Sequence, residues 1–183
     1  MKEDSNSQWP KTQTEHVLFR PQRAEYVRQS KASSSCVFCQ AINEKPSWQN
    51  LNLGFLGSSV VFVNKYPYNT GHLLVLPLNH CSDYSFLTDE EFFNLHKAIR
   101  FCVKILRDVY QPEGLNVGLN LGRAAGAGIP DHLHYHLIPR WAGDTNFFPL
   151  IAQSKVVIED VKTTYEKIGP IITKEGRSWS ERA

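Results

Sequence analysis

No apolar run in this 183-residue chain approaches the roughly 18–20 residues of a membrane-spanning helix, so no transmembrane segment and no membrane partner are expected. Neither sign of charge dominates. Lys and Arg number 20 against 18 Asp and Glu, for a net charge of +2, too mild to imply nucleic acid or a lipid surface. The opening Met1-Lys2-Glu3-Asp4-Ser5 has no apolar stretch behind it, so a secretory leader is not expected and the cytoplasm is the expected compartment. Thiols stay reduced there, and the four cysteines call for a metal or a packing role before a disulfide. No internal repeat is visible. The glycine-rich run Gly122-Arg123-Ala124-Ala125-Gly126-Ala127-Gly128 lacks a phosphate-loop lysine and does not fit the dinucleotide-binding fingerprint. What remains is 42% hydrophobic and 21% charged residues, ordinary for one globular domain with a real core.

Residues 1–19 are polar and aperiodic and read as a flexible tail, and Arg20 to Lys31 as a short basic docking segment. Leu51–Leu56 and Val60–Asn64 read as strands across a Gly57-Ser58-Ser59 turn, and His72–Pro77 as another after the turn-rich Tyr66–Gly71. Thr88 is placed to cap a long helix, with Asp89, Glu90 and Glu91 in its first turn. Apolar residues recur at helical spacing from Phe92 to about Val109, and Gln111-Pro112-Glu113-Gly114 stops the pattern. Leu115–Leu121 reads as a strand, Val157–Ile168 as a final helix, and 169–183 as a polar tail. Strands around one main helix predict an antiparallel α+β layer, not a doubly wound sheet.

The most informative stretch is His132-Leu133-His134-Tyr135-His136-Leu137-Ile138-Pro139-Arg140. On a strand, alternate residues share a face. The three imidazoles would then line one wall while Leu133, Tyr135 and Leu137 face a core. Neutral imidazoles at physiological pH can attack, ligate or shuttle protons. Beside them, the glycine loop can offer backbone N–H groups as an anion nest, Gly126 and Gly128 included, with Arg123 or Lys155 adding charge. Phosphate next to a row of imidazoles suggests nucleophilic catalysis, one histidine attacking phosphorus and a neighbour serving the leaving oxygen. His72, at the start of a strand, is a plausible fourth active-site imidazole. Cys36-x-x-Cys39 has three readings: zinc, completed by His80 and one triad histidine; a redox pair, whose thioredoxin-like context is missing; or simple packing. Cys81, Cys102 and His96 read as structural.

These residues resemble the histidine triad proteins, nucleotidyl hydrolases and transferases. The His-x-His-x-His stretch and Pro139-Arg140 carry the likeness. Further support lies in Asn64-Lys65-Tyr66-Pro67-Tyr68-Asn69-Thr70-Gly71-His72-Leu73-Leu74-Val75-Leu76-Pro77, in Asn116–Gly122 and in Arg140–Phe147. The last two look like the branch of diadenosine tetraphosphate phosphorylases, often labelled adenylyltransferases. The likeness covers about residues 20–168, taken as the domain.

The resemblance implies a fold with an antiparallel sheet of about five strands, one long helix and a C-terminal helix. It makes His134 the nucleophile, oriented by the His132 carbonyl, with His136 at the scissile oxygen and His72 holding phosphates. Asn64 would bind ribose hydroxyls and Asn120 phosphate. Cys36, Cys39, His80 and His132 would hold a structural zinc. The substrate would be an adenine nucleotide or dinucleoside polyphosphate, the acceptor phosphate or water, and the assembly a homodimer. A hydrolase of nucleoside phosphoramidates or dinucleoside polyphosphates is the alternative enzyme, and a non-catalytic nucleotide-binding module the alternative class. Two departures stand out. Gly128-Ile129 replaces the Gln-Ser or Gln-Thr many triad hydrolases carry before the first histidine, and Pro21-Gln22-Arg23 lacks the tryptophan many relatives have.

Overall fold

The structure, a computed structural model, describes residues 35–144 and 157–180. In chain order these are α1 (Val37–Ile42), β1 (Asn52–Leu56), β2 (Ser59–Val63), β3 (Leu73–Pro77), α2 (Asp89–Tyr110), β4 (Gly114–Leu119), β5 (Tyr135–Arg140) and α3 (Val161–Ser180), with short 3-10 turns at Tyr84–Phe86 and Ala142–Asp144. The tail 1–19, the basic segment after it and Lys155 lie outside the described residues.

The strands form one antiparallel sheet in the order β1-β2-β3-β5-β4, the α+β architecture expected. Alternation along each strand gives the sheet two different faces. One carries Leu53, Val61, Val63, Leu73, Val75, Leu133 and Leu137 into a core with Leu95, Ile99, Cys102 and Leu106 of α2 and Ile168 and Ile172 of α3. The other carries Val60, Phe62, Leu74 and Leu76, packed with Phe38 of α1. This second face also bears the histidines, since His136 pairs across the ladder with Leu74.

Helix α2 starts where its sequence says it should. Thr88 accepts from the Glu91 N–H while the Glu91 carboxylate accepts from the Thr88 N–H, a complete capping box. Gln111 ends it in the left-handed region at φ 47°. Two expectations need correction. The helix expected to stop at Ile168 runs on to Ser180 through Pro170, so 169–180 are helical where a polar tail was expected. An interior proline costs about 3 kcal/mol, but Ile172 is fully buried on the sheet beyond it and Trp179 packs on the same core. The second concerns β5, whose ladder begins at Tyr135 and not at His132. The Leu133 N–H donates to the Cys81 carbonyl (2.6 Å) instead of joining the sheet. The in–out alternation survives: Leu133 faces the core, while His132 and His134 are buried on the other side.

Candidate functional site

Partners that can only accept or only donate fix the imidazole tautomers. His134 Nδ1 lies 2.7 Å from the His132 carbonyl, so that nitrogen carries the proton and donates it. Its Nε2 therefore holds a lone pair. The ring is only 6% exposed, and burial, partly opposed by the bond to the His132 carbonyl, holds its pKa below the ordinary value. A neutral imidazole with an available lone pair is the state a nucleophile needs.

His136 is set the opposite way. The Tyr68 N–H donates to His72 Nδ1 at 3.0 Å, which leaves the His72 proton on Nε2. That nitrogen donates to His136 Nδ1, also at 3.0 Å. In its neutral form His136 thus carries its own proton on Nε2, away from His72. The His134 and His136 rings stand 5.1 Å apart between centroids, and Tyr68 stacks on His136 at 5.7 Å. One lone pair and one N–H sit side by side.

His72, expected to hold phosphates, has no exposed surface. It lies behind His136, to which its Nε2–H is bonded. Asn64, expected at ribose, accepts the Tyr66 N–H on its Oδ1 and sets its Nδ2 3.3 Å from each His72 ring nitrogen. In the glycine loop the Gly126 N–H donates to the Arg123 carbonyl and the Ala127 N–H to the Gly122 carbonyl. The loop therefore closes its own turns with donors expected to form an anion nest. A side chain on Gly126, where φ is +92°, would meet the Asn120 amide nitrogen at 4.0 Å, so Asn120 borders this loop. Arg123 is exposed and Gly128 half-buried. Ile129, at the departure from the hydrolase pattern, packs on the Phe38–Phe62 cluster.

His132 belongs to a second constellation. Its Nε2–H donates to the Pro77 carbonyl at 3.0 Å, which turns the Nδ1 lone pair toward Cys36 Sγ (3.5 Å) and Cys39 Sγ (3.6 Å). His80 Nδ1 lies 3.3 Å from Cys39 Sγ. The four donor atoms all fall within 4.8 Å of one another. Tetrahedral zinc at its usual Zn–S and Zn–N bond lengths separates sulfur from nitrogen by about 3.5 Å, so this donor set fits a metal ion. Burial, with His80 and His134 adding to it, lowers the His132 pKa to about 4 against the pull of the Pro77 bond, which keeps the ring available as a ligand. Without a metal, burial and the neighbouring Cys36 push the Cys39 thiol up to about 11. Metal binding would therefore release protons.

The expected cysteine and histidine donors come together, as do His134, His136 and His72. Phe38, Tyr68 and the Pro77 and Cys81 carbonyls were missed: three are backbone groups or backbone-anchored, and Phe38 reads in sequence as one more apolar residue. Cys81 and Cys102 are buried and unpaired, as expected of packing residues. His96 bonds the Phe92 carbonyl on its own helix. A cavity of about 590 Å³ along α3, lined by Tyr165, Gly169, Pro170, Thr173, Lys174 and Arg177 among others, has no histidine or cysteine among its described lining residues.

Three histidines at alternate positions along one face of a five-stranded antiparallel sheet are the arrangement of a histidine triad protein. The HIT domain family model matches residues 50–143, and the chain belongs to that family. It is 43% identical over 102 residues to the AP-4-A phosphorylase of Mycobacterium tuberculosis, covering 56% of this chain and 52% of that protein. The chain thus spans about half the length of the phosphorylase it matches. The adenosine 5'-monophosphoramidase of Schizosaccharomyces pombe is 31% identical over 106 residues, 58% of this chain and 74% of that protein. Among solved structures, a hypothetical histidine triad nucleotide-binding protein from Sulfolobus tokodaii superposes with a TM-score of 0.60 at 27% identity, covering 76% of this chain and 93% of that one.

Proposed function

We propose that the protein is a nucleotidyl transferase that cleaves dinucleoside polyphosphates such as diadenosine tetraphosphate, with inorganic phosphate as acceptor. The observation that carries this reading is the opposed pair of tautomers at His134 and His136. His134 Nε2 attacks the α-phosphorus, an N–P bond forms, and the bond to the bridging oxygen breaks. The polyphosphate leaves as an anion while the His136 N–H hydrogen-bonds the departing oxygen. The His132 carbonyl holds the imidazolium that results. In the second step the acceptor oxygen attacks phosphorus and the N–P bond breaks, returning neutral His134.

Phosphate enters that step as an anion and needs no base. Water must lose a proton, and His136, protonated on the nitrogen turned away from His72, is poorly placed to take it. The likeness to the mycobacterial phosphorylase points the same way. The likeness to a phosphoramidase favours hydrolysis as the second reading. Asn64, Asn120, Arg123, Lys155 and the Gly126–Gly128 segment remain the proposed substrate contacts, Asn64 and Gly126 through rearrangement of their present bonds.

Zinc is proposed as a structural ion on Cys36, Cys39, His80 and His132. Four protein ligands leave no open position, so it takes no part in the chemistry. A cytoplasmic setting suits four unpaired thiols. The outer edge of β4 is largely exposed, with Val117 at 44%, and a second copy joining there would give the proposed homodimer. The test is product analysis with diadenosine tetraphosphate, with and without phosphate. ATP plus ADP, formed only when phosphate is present, is the expected result. ATP plus AMP at the same rate either way would assign the hydrolase.

A further inference from the structure

We infer that Phe38 is a positioning residue that ties metal loading at Cys36, Cys39, His80 and His132 to the placement of the His134 ring. The inference rests on the reading of His134 as nucleophile.

Helix α1 has only six residues, its cap residue Cys36 makes no side-chain cap bond, and its first turn has no acidic residue. A helix that short has almost no stability of its own. Something else must hold it. Two of the four metal donors belong to its first turn, Cys36 at the cap and Cys39 three residues on. Phe38 lies between them and is 6% exposed. Its ring stands 5.6 Å from that of His132, edge-on, and 5.3 Å from that of His134. On its other side Phe62 supports it at 5.4 Å.

One side chain thus touches a ligand ring and the nucleophile ring together, from a helix whose first turn the metal would clamp. Among the described residues His134 makes one hydrogen bond, Nδ1–H to the His132 carbonyl. That bond directs the nitrogen but leaves the ring a hinge about it. Packing by Phe38 removes this freedom. An ion on the two sulfurs would fix the helix, the helix fixes Phe38, and Phe38 fixes the ring in the attack orientation. Attack geometry is sensitive to displacements of about 1 Å, which is why a remote clamp can govern rate.

The test uses the full chain and the variant Phe38→Leu, which keeps an apolar residue of similar bulk and all four metal ligands. Bound zinc should stay at the parent's level, KM should change less than twofold, and kcat should fall about tenfold or more. The second readout is the His134 Cε1–H proton resonance, assigned by its loss in His134→Asn. Stripping the metal with a chelator should move it in the parent, because the Phe38 ring current changes, and move it much less in Phe38→Leu. Equal movement in both, or an unchanged kcat with zinc retained, would overturn the inference. So would a loss confined to KM, which would make Phe38 a substrate contact. Should Phe38→Leu fail to fold, an unmoved resonance in the chelated parent is by itself enough to reject it. If His134→Ala turned over normally, the nucleophile reading would fail first, a result distinguishable from all of these.

Discussion

At the scale of single residues, the proposed chemistry depends on which nitrogen of each imidazole carries the proton. The backbone decides this three times. The Pro77 carbonyl fixes His132, the His132 carbonyl fixes His134, and the Tyr68 N–H fixes His72 and through it His136. His72 is therefore expected to matter for rate and little for binding. His72→Phe keeps an aromatic ring, somewhat larger than imidazole, but removes the Nε2–H that anchors His136. We expect kcat to fall roughly 10–100-fold, as for other losses of a group that orients a reacting residue, with KM nearly constant. Steady-state kinetics with a folding check by circular dichroism decides it, and an unchanged kcat would leave His72 a packing residue. The three histidines and both cysteines were legible in the sequence, because spacing by two and C-x-x-C are side-chain patterns. The tautomers were not. They are set by carbonyl and N–H groups that every residue possesses, and only the fold shows which of them comes near.

At the scale of elements, periodicity located α2 to within a residue, since cap, acidic first turn and apolar stripe all agreed. It ended α3 a dozen residues early. Gly169-Pro170 is a stop signal by local rules, and what overrides it is the tertiary burial of Ile172 on β1 and its neighbours. The same packing explains Gly176. Any side chain there would collide with the Phe55 carbonyl oxygen, so the helix approaches β1 as closely as only glycine permits. Gly176→Ala should lower stability by about 1–3 kcal/mol, even though alanine is the better helix former. Urea unfolding of parent and variant measures this. A more stable variant would show that α3 can shift along the strand at no cost. The extended stretch before β5 escaped the sequence reading for a related reason: the Cys81 carbonyl that captures the Leu133 N–H is 52 residues away in the chain.

At the scale of the whole molecule, one sheet separates two jobs. Its helix-covered face supplies the main core, and its other face presents histidines beside a small apolar cluster that includes Phe38. The proposed metal ties α1 to the segment entering β5 and so joins parts of the chain 96 residues apart. Ligand binding to the native state alone stabilises it by mass action, about 4 kcal/mol at a thousandfold excess over Kd. Chelation should therefore lower the thermal midpoint by about 10 °C. Cys36→Ser should show the lower midpoint without chelator, together with reduced bound zinc. Equal midpoints in all samples would mean that the four donors do not hold an ion that matters to the fold.

The most direct test of the account is to quench the protein during turnover of a dinucleoside polyphosphate and map the adduct by peptide mass spectrometry. A nucleoside monophosphate bonded to the peptide bearing His134, formed at the rate of turnover and absent in His134→Ala, is the predicted result. Full turnover in His134→Ala, or an adduct that forms only on another residue, would contradict it.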